Sequence, residues 1–100
     1  MIAYKYNEDR LLKDIAKYIN STYGEHYAQG NIQTTEFLIS NGDGIAFTRG
    51  NVIKYAQRYG KKDGYNRKDI MKIIHYAIIM LYVHDEEHGS ESQEQMSFQF

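Results

Sequence analysis

The residues best equipped for chemistry lie in one string, Gly50-Asn51-Val52-Ile53-Lys54-Tyr55-Ala56-Gln57-Arg58-Tyr59-Gly60-Lys61-Lys62. Gly50, Lys54 and Arg58 recur every fourth residue, so a helix through them sets a glycine gap and two cations on one face. Glycine inside a helix costs ~1 kcal/mol against alanine, which implies that something approaches the backbone there. Asn51 adds an amide, and Lys61 and Lys62 follow in a turn expected to be flexible. Guanidinium and ammonium groups meet phosphate oxygens in charge-assisted hydrogen bonds, so the set suits a phosphorylated ligand. The plain alternative is a solvated basic face whose Lys and Arg complement a helix C-terminus.

Other constellations are weaker. His84-Asp85-Glu86-Glu87-His88 matches the inverted zinc-protease pattern H-x-x-E-H by letters, without an evident third ligand, so no metal site is assigned and adventitious binding by two histidines is the simpler expectation. His75 sits in an apolar run and reads as a core histidine bonded to a carbonyl, with general acid or base work as the alternative. Glu8, Asp9 and Asp14 lack the Glu-x-x-Glu pairing of the all-α nucleotide pyrophosphohydrolases, and helix capping explains them. No G-x-x-x-x-G-K-[ST] loop occurs, which excludes ordinary P-loop chemistry.

Helices must position these groups. Leu11, Leu12, Ile15, Ala16, Ile19 and Tyr23 recur at three and four, giving an amphipathic helix from an Asn7 cap to a Gly24 stop. A short second helix is expected from Thr34 or Thr35 to Ser40, burying Phe37 and Leu38, before Asn41-Gly42-Asp43-Gly44 breaks the chain. The third begins near Phe47 or Thr48 and ends at Gly60, with Val52, Tyr55, Ala56 and Tyr59 as its stripe. The fourth runs from about Asn66 to about His84, and its Ile73–Val83 run is apolar on nearly every side, as in a bundle centre or an oligomer interface. The stretch from Glu25 to Gln33 gives no clear pattern. The fold class is therefore all-α, a small bundle of about four helices over residues 1–85, expected to oligomerise, with residues 86–100 as an acidic tail disordered by composition.

A family resemblance rests on the same string. Gly50-Asn51-x-x-Lys54-Tyr55-x-x-Arg58-x-Gly60-Lys61-Lys62, then Lys68-Asp69-x-x-Lys72 and Tyr76, with His26-Tyr27-x-x-Gly30-x-Ile32-x-x-x-Glu36-Phe37 upstream, resembles a family of small bacteriophage proteins described as a domain of unknown function or as nucleotide kinase-like (SaV-like). The likeness runs from His26 to about Leu81. It implies phosphoryl transfer to deoxynucleoside monophosphates without a Walker loop, which needs mainly positioning and neutralisation of phosphate charge. On that resemblance Lys54 and Arg58 hold phosphate oxygens, Lys61 and Lys62 cap the site, and Asn51 donates to a phosphate or base edge. His26 or Glu36 orients the acceptor, and Tyr27, Tyr55 or Tyr59 stacks on a base, tyrosine at helical spacing being otherwise core. Magnesium with a nucleoside triphosphate donor is the implied cofactor.

Charge sharpens the partners. The 100 residues carry a formal net charge of −1, but residues 1–48 hold −2, residues 49–72 hold +6 and residues 73–100 hold −5. The basic block expects nucleotides or other phosphorylated small molecules. A non-catalytic nucleotide-sequestering protein and a nucleic-acid-binding or partner-binding protein are the alternatives, the overall acidic balance weighing against nucleic acid. The tail, with Glu86, Glu87, Glu91 and Glu94 before Met96-Ser97-Phe98-Gln99-Phe100, is read as a solubilising end, a docking tail or a cover for the basic block. With no cysteine, disulfides, cysteine nucleophiles and cysteine zinc sites are excluded. No apolar run approaches the ~20 residues of a membrane span, and the N-terminus does not read as a signal peptide, so a cytoplasmic location is expected, that of the host cell if phage-encoded. Asn20-Ser21-Thr22 is then a chance sequon.

Overall fold

A computed structural model of the chain describes residues 1–24 and 28–89. Four helices make up the described fold: α1 (Glu8–Tyr23), α2 (Ala28–Ser40), α3 (Gly44–Arg58) and α4 (Arg67–His88). Among the described residues there is no strand, only an isolated bridge between Lys61 and Gly64. The all-α expectation holds. Its tail from Ser90 onward, with Glu91, Glu94 and Phe100, and the residues Glu25, His26 and Tyr27 lie outside the described residues.

The helices start and stop for reasons the chain states locally. Asn66 caps α4 properly, its side-chain oxygen accepting from the Lys68 N–H at 2.9 Å. Asn7, the expected cap of α1, does not: it is left-handed at φ 58° and its side chain caps nothing. Glu8 instead turns back and accepts from the Tyr6 N–H at 2.8 Å. α2 begins several residues before the expected Thr34, because Thr34 and Thr35 are not caps. Their hydroxyls donate back to the carbonyls of Gly30 (2.9 Å) and Asn31 (2.8 Å), inside the helix. Ser21 and Thr22 of the sequon behave alike in α1, donating to Tyr18 and Ile19 carbonyls.

α2 closes in a Schellman turn, with Gly42 at φ 87° and its N–H donating to the Ile39 carbonyl while the Asp43 N–H reaches Leu38. α3 then starts at Gly44, earlier than the expected Phe47. Gly44 is not a breaker but a contact point: a Cβ there would lie 3.1 Å from Val83 and 3.2 Å from Ile39. α4 extends through His88, past the expected end, so Glu86 and Glu87 belong to its last turns.

α3 packs most extensively on α4, while α1 leans on α4 and α2 on α3. The pair α3–α4 is antiparallel, since Gly44 at the head of α3 meets Val83 late in α4 and Tyr55 near the end of α3 stacks on Tyr76. The core is small. Among the described apolar side chains only Ile15, Tyr55, Met71 and Val83 are buried, joined by Thr48 and Asp69. Thr48 satisfies its hydroxyl on the Gly44 carbonyl at 2.8 Å. Asp69 keeps one carboxylate oxygen, Oδ2, buried without a hydrogen bond. Phe37, expected to be buried, is 68% exposed, and Leu12 is 67% exposed; the face of α1 that the spacing assigns to the core is only half covered.

Candidate functional site

The cations of the basic block converge on one ring. Tyr55, 9% exposed, lies between α3 and α4. Lys54 Nζ is 4.9 Å from its centroid, Arg58 Cζ 5.0 Å and Lys72 Nζ 4.9 Å. Any two of these charges therefore lie within twice that distance of each other, about one Debye length. None has an ion-pair partner among the described residues, where Arg67 to Asp14, at 2.9 Å, is the one salt bridge. Like charges held together without counter-charge are unfavourable, and cation–π attraction to Tyr55 offsets part of that.

An aromatic stack supports the ring. Tyr76 lies parallel to Tyr55 with centroids 6.0 Å apart, and Phe47 meets Tyr76 edge-on at 5.9 Å. Burial pushes the Tyr76 hydroxyl above the usual phenol range, and the Tyr55 hydroxyl beside it adds to the shift. The Tyr76 phenol therefore stays neutral at physiological pH.

Tyr55 also forms part of the wall of a cavity of about 850 Å³ between all four helices. Lys68 and Lys72 of α4 line it beside Tyr55; Tyr18 and Tyr23 of α1, Asn31, Thr35 and Glu36 of α2, and His75 and Tyr82 of α4 complete its polar and aromatic walls. Burial lowers the pKa of His75, which meets Tyr18 edge-on at 6.2 Å. His75 is thus a half-buried cavity residue, and no carbonyl among the described residues accepts from it, contrary to the core role its sequence context suggests. Glu36 is on the cavity wall.

The other expected site residues sit elsewhere. Gly50 is on α3 but exposed, with nothing within 4 Å of where a Cβ would stand, so no part of the described chain needs the gap. Asn51 spends its amide on the Phe47 carbonyl at 3.0 Å. Tyr55 is held in the stack rather than open to a base, and Tyr59 packs edge-on against Tyr65 at 5.3 Å. Lys61 and Lys62 are exposed and outside the cavity wall. Their turn is not loose: both N–H groups donate to the Arg58 carbonyl and the Gly60 N–H to Gly64, with Gly60 at φ 85°. His26 and Tyr27 lie outside the described residues. Sequence reasoning missed Lys72, Lys68, Tyr76, Tyr18 and Tyr82 as residues of the candidate site; for Lys68, Lys72 and Tyr76 the signal was Lys68-Asp69-x-x-Lys72-x-x-x-Tyr76, which puts a cation one helical turn before an aromatic.

His84 and His88 lie one turn apart on α4 with ring centroids 4.6 Å apart and planes tilted by 40°. Among the described residues no group of three or more His, Asp or Glu side chains could hold a metal ion. Nor is any described helix long and apolar enough to cross a membrane.

Fold and site together define a small four-helix protein with an unpaired cation cluster beside an aromatic-walled cavity. Residues 21–78 match the model of a family described as protein of unknown function (DUF3310), and the chain belongs to that family. The matched segment holds Lys54, Tyr55, Arg58, Lys68, Lys72 and Tyr76. No curated protein and no solved structure matches the chain.

Proposed function

We propose that this protein binds a nucleotide, with the phosphate held by Lys54, Arg58 and Lys72 and the base in the adjoining cavity. The observation that carries this reading is the convergence of three unpaired cations on the Tyr55 ring at the cavity wall. An anion would neutralise such a cluster through charge-assisted hydrogen bonds. The cavity, about 850 Å³, falls in the ~300–1,000 Å³ range of small-molecule sites. Its exposed tyrosines, Tyr23 and Tyr82, offer faces to a base, and Asn31, Thr35 and Glu36 offer edge contacts.

Phosphoryl transfer to a deoxynucleoside monophosphate is the catalytic form of the same proposal. The cations would neutralise the transferring group. Magnesium would be brought and held by the phosphates of a triphosphate donor.

Thermal-shift measurements with deoxynucleoside monophosphates and triphosphates, and with the matching nucleosides, test the reading. Nucleotides are expected to raise Tm with the logarithm of their concentration above Kd, nucleosides far less, and Lys54→Ala with Arg58→Ala to lose the shift while keeping helical content. No stabilisation by any nucleotide, or equal stabilisation by nucleosides, refutes it. Adding magnesium and a triphosphate donor and resolving products then separates turnover from sequestration.

A further inference from the structure

A second hollow lies between α1 and α4, apart from the cations on Tyr55. This groove of about 310 Å³ is lined by Asp14, Lys17 and Tyr18 of α1 and by Arg67, Lys68 and Met71 of α4. Three of its six lining side chains are cations and one is a carboxylate. Arg67 donates to Asp14 at 2.9 Å, and among the described residues its guanidinium makes no other hydrogen bond. Lys17 and Lys68 have no ion-pair partner among those residues.

The single ion pair does not close the groove. The side chains of Arg67 and Asp14 are 63% and 34% exposed, and pairs so open to water are worth little, so an incoming anion can replace the carboxylate on Arg67. The groove also lies at the start of α4, where the positive end of a 22-residue helix adds to the field of the three cations. Asp69, one residue past Lys68, opposes that field, but it is 4% exposed and is not on the groove wall. Tyr18 and Lys68 belong to the walls of both the groove and the large cavity, so the two spaces adjoin. Lys68 stands one helical turn before Lys72, the α4 cation at Tyr55.

The groove is at the small end of the ~300–1,000 Å³ range of ligand sites, and cations dominate its polar lining. Those features suit a compact anion with several charges. A chain of two or three phosphates is such an anion: the planar guanidinium of Arg67 matches one phosphate through paired N–H groups, and the ammonium groups of Lys17 and Lys68 meet its neighbours as point charges. We propose that this groove is a second anion site, which takes a di- or triphosphate chain on Lys17, Arg67 and Lys68. The site stands on its own residues, whatever the Tyr55 cluster binds.

Isothermal titration calorimetry of the full chain with inorganic tripolyphosphate tests it. The Lys54→Ala, Arg58→Ala background keeps the Tyr55 cluster from taking the probe, and saturable binding should persist there. Adding Lys17→Ala and Arg67→Ala should weaken binding at least tenfold. Adding Lys61→Ala and Lys62→Ala instead removes the same charge outside the groove and should change it less than twofold. Asp14→Asn should tighten binding, since the competing carboxylate is gone. Circular dichroism of each variant checks that the helices remain. A nucleoside triphosphate weakened by the Lys17 and Arg67 changes assigns the chain of a nucleotide to the groove; one left unaffected assigns free polyphosphate. No saturable binding in the Lys54→Ala, Arg58→Ala background, equal losses from the two pairs of lysine and arginine changes, or weaker binding after Asp14→Asn overturns the proposal.

Discussion

The two faces of α4 carry opposite kinds of unfinished business. Inward, Lys72 and Tyr76 join Tyr55 in a cluster where the Tyr55 and Tyr76 rings are stacked but the positive charges have no ion-pair partner among the described residues. Outward, Ile70, Ile74, Ile78 and Leu81 are chemically inert and about half exposed. Unpaired charge asks for an anion, and half-exposed apolar surface asks for another apolar surface. The same 22-residue helix thus carries part of a cation cluster on one side and a row of partly exposed apolar side chains on the other. Function here is read from what the fold leaves unsatisfied, since the satisfied groups are spent on structure.

Substitutions that separate the two faces test this contrast. The largest effect is expected at the buried seam. Val83→Ala removes a side chain that is 2% exposed and meets Gly44, and should cost ~2–3 kcal/mol in urea unfolding, whereas Ile74→Ala should change the stability of the monomer by ~0.5 kcal/mol or less. Equal costs at the two positions would erase the distinction between the faces. Next comes the turn that carries Lys61 and Lys62. Gly60→Ala puts a Cβ 2.7 Å from Tyr65 Cε1 at a φ of 85°, and is expected to lose ~1–3 kcal/mol.

Within the cation cluster the sign reverses. Lys72→Met should leave ligand-free stability unchanged or raise it by up to ~1 kcal/mol, because like-charge repulsion is relieved, while nucleotide stabilisation falls. A large loss of ligand-free stability would mark Lys72 as a structural residue. The smallest effect concerns pH. His75 has a pKa lowered by burial, so the unfolded chain binds its proton at higher pH than the folded one. Stability should therefore rise with pH from the folded pKa up to the ordinary value near 6.5 and be flat with respect to this group above it. His75→Gln should flatten that part of the profile, and an unaltered slope would show that another group sets it.

Much of the architecture was legible in sequence because it depended on local rules. The apolar spacing of α1 and α4, the start of α4 near Asn66 and the break at Asn41–Gly44 act within a few residues of themselves. The starts of α2 and α3 were not legible for the same reason that they are unusual: Thr34 and Thr35 cap helices in most settings but here bond back to Gly30 and Asn31, and Gly44 signals a break until Val83 is known to press on it. In the site, Lys54 and Arg58 were found from their i, i+4 spacing. Lys72 was not, because it reaches the same ring from another helix, and only the antiparallel pairing of α3 with α4 brings it there. Periodicity also marked Phe37 and Leu12 as apolar without saying that no helix would cover them.

The central claim is that the cations around Tyr55 form a phosphate site. Its most direct test is a nuclear magnetic resonance titration that follows the ring signals of Tyr55 and Tyr76, assigned with Tyr55→Phe and Tyr76→Phe. A deoxynucleoside monophosphate should shift both sets saturably, and the corresponding nucleoside should shift them little. Shifts confined to the Lys61–Lys62 turn, or no saturable shift at either ring, would contradict the account.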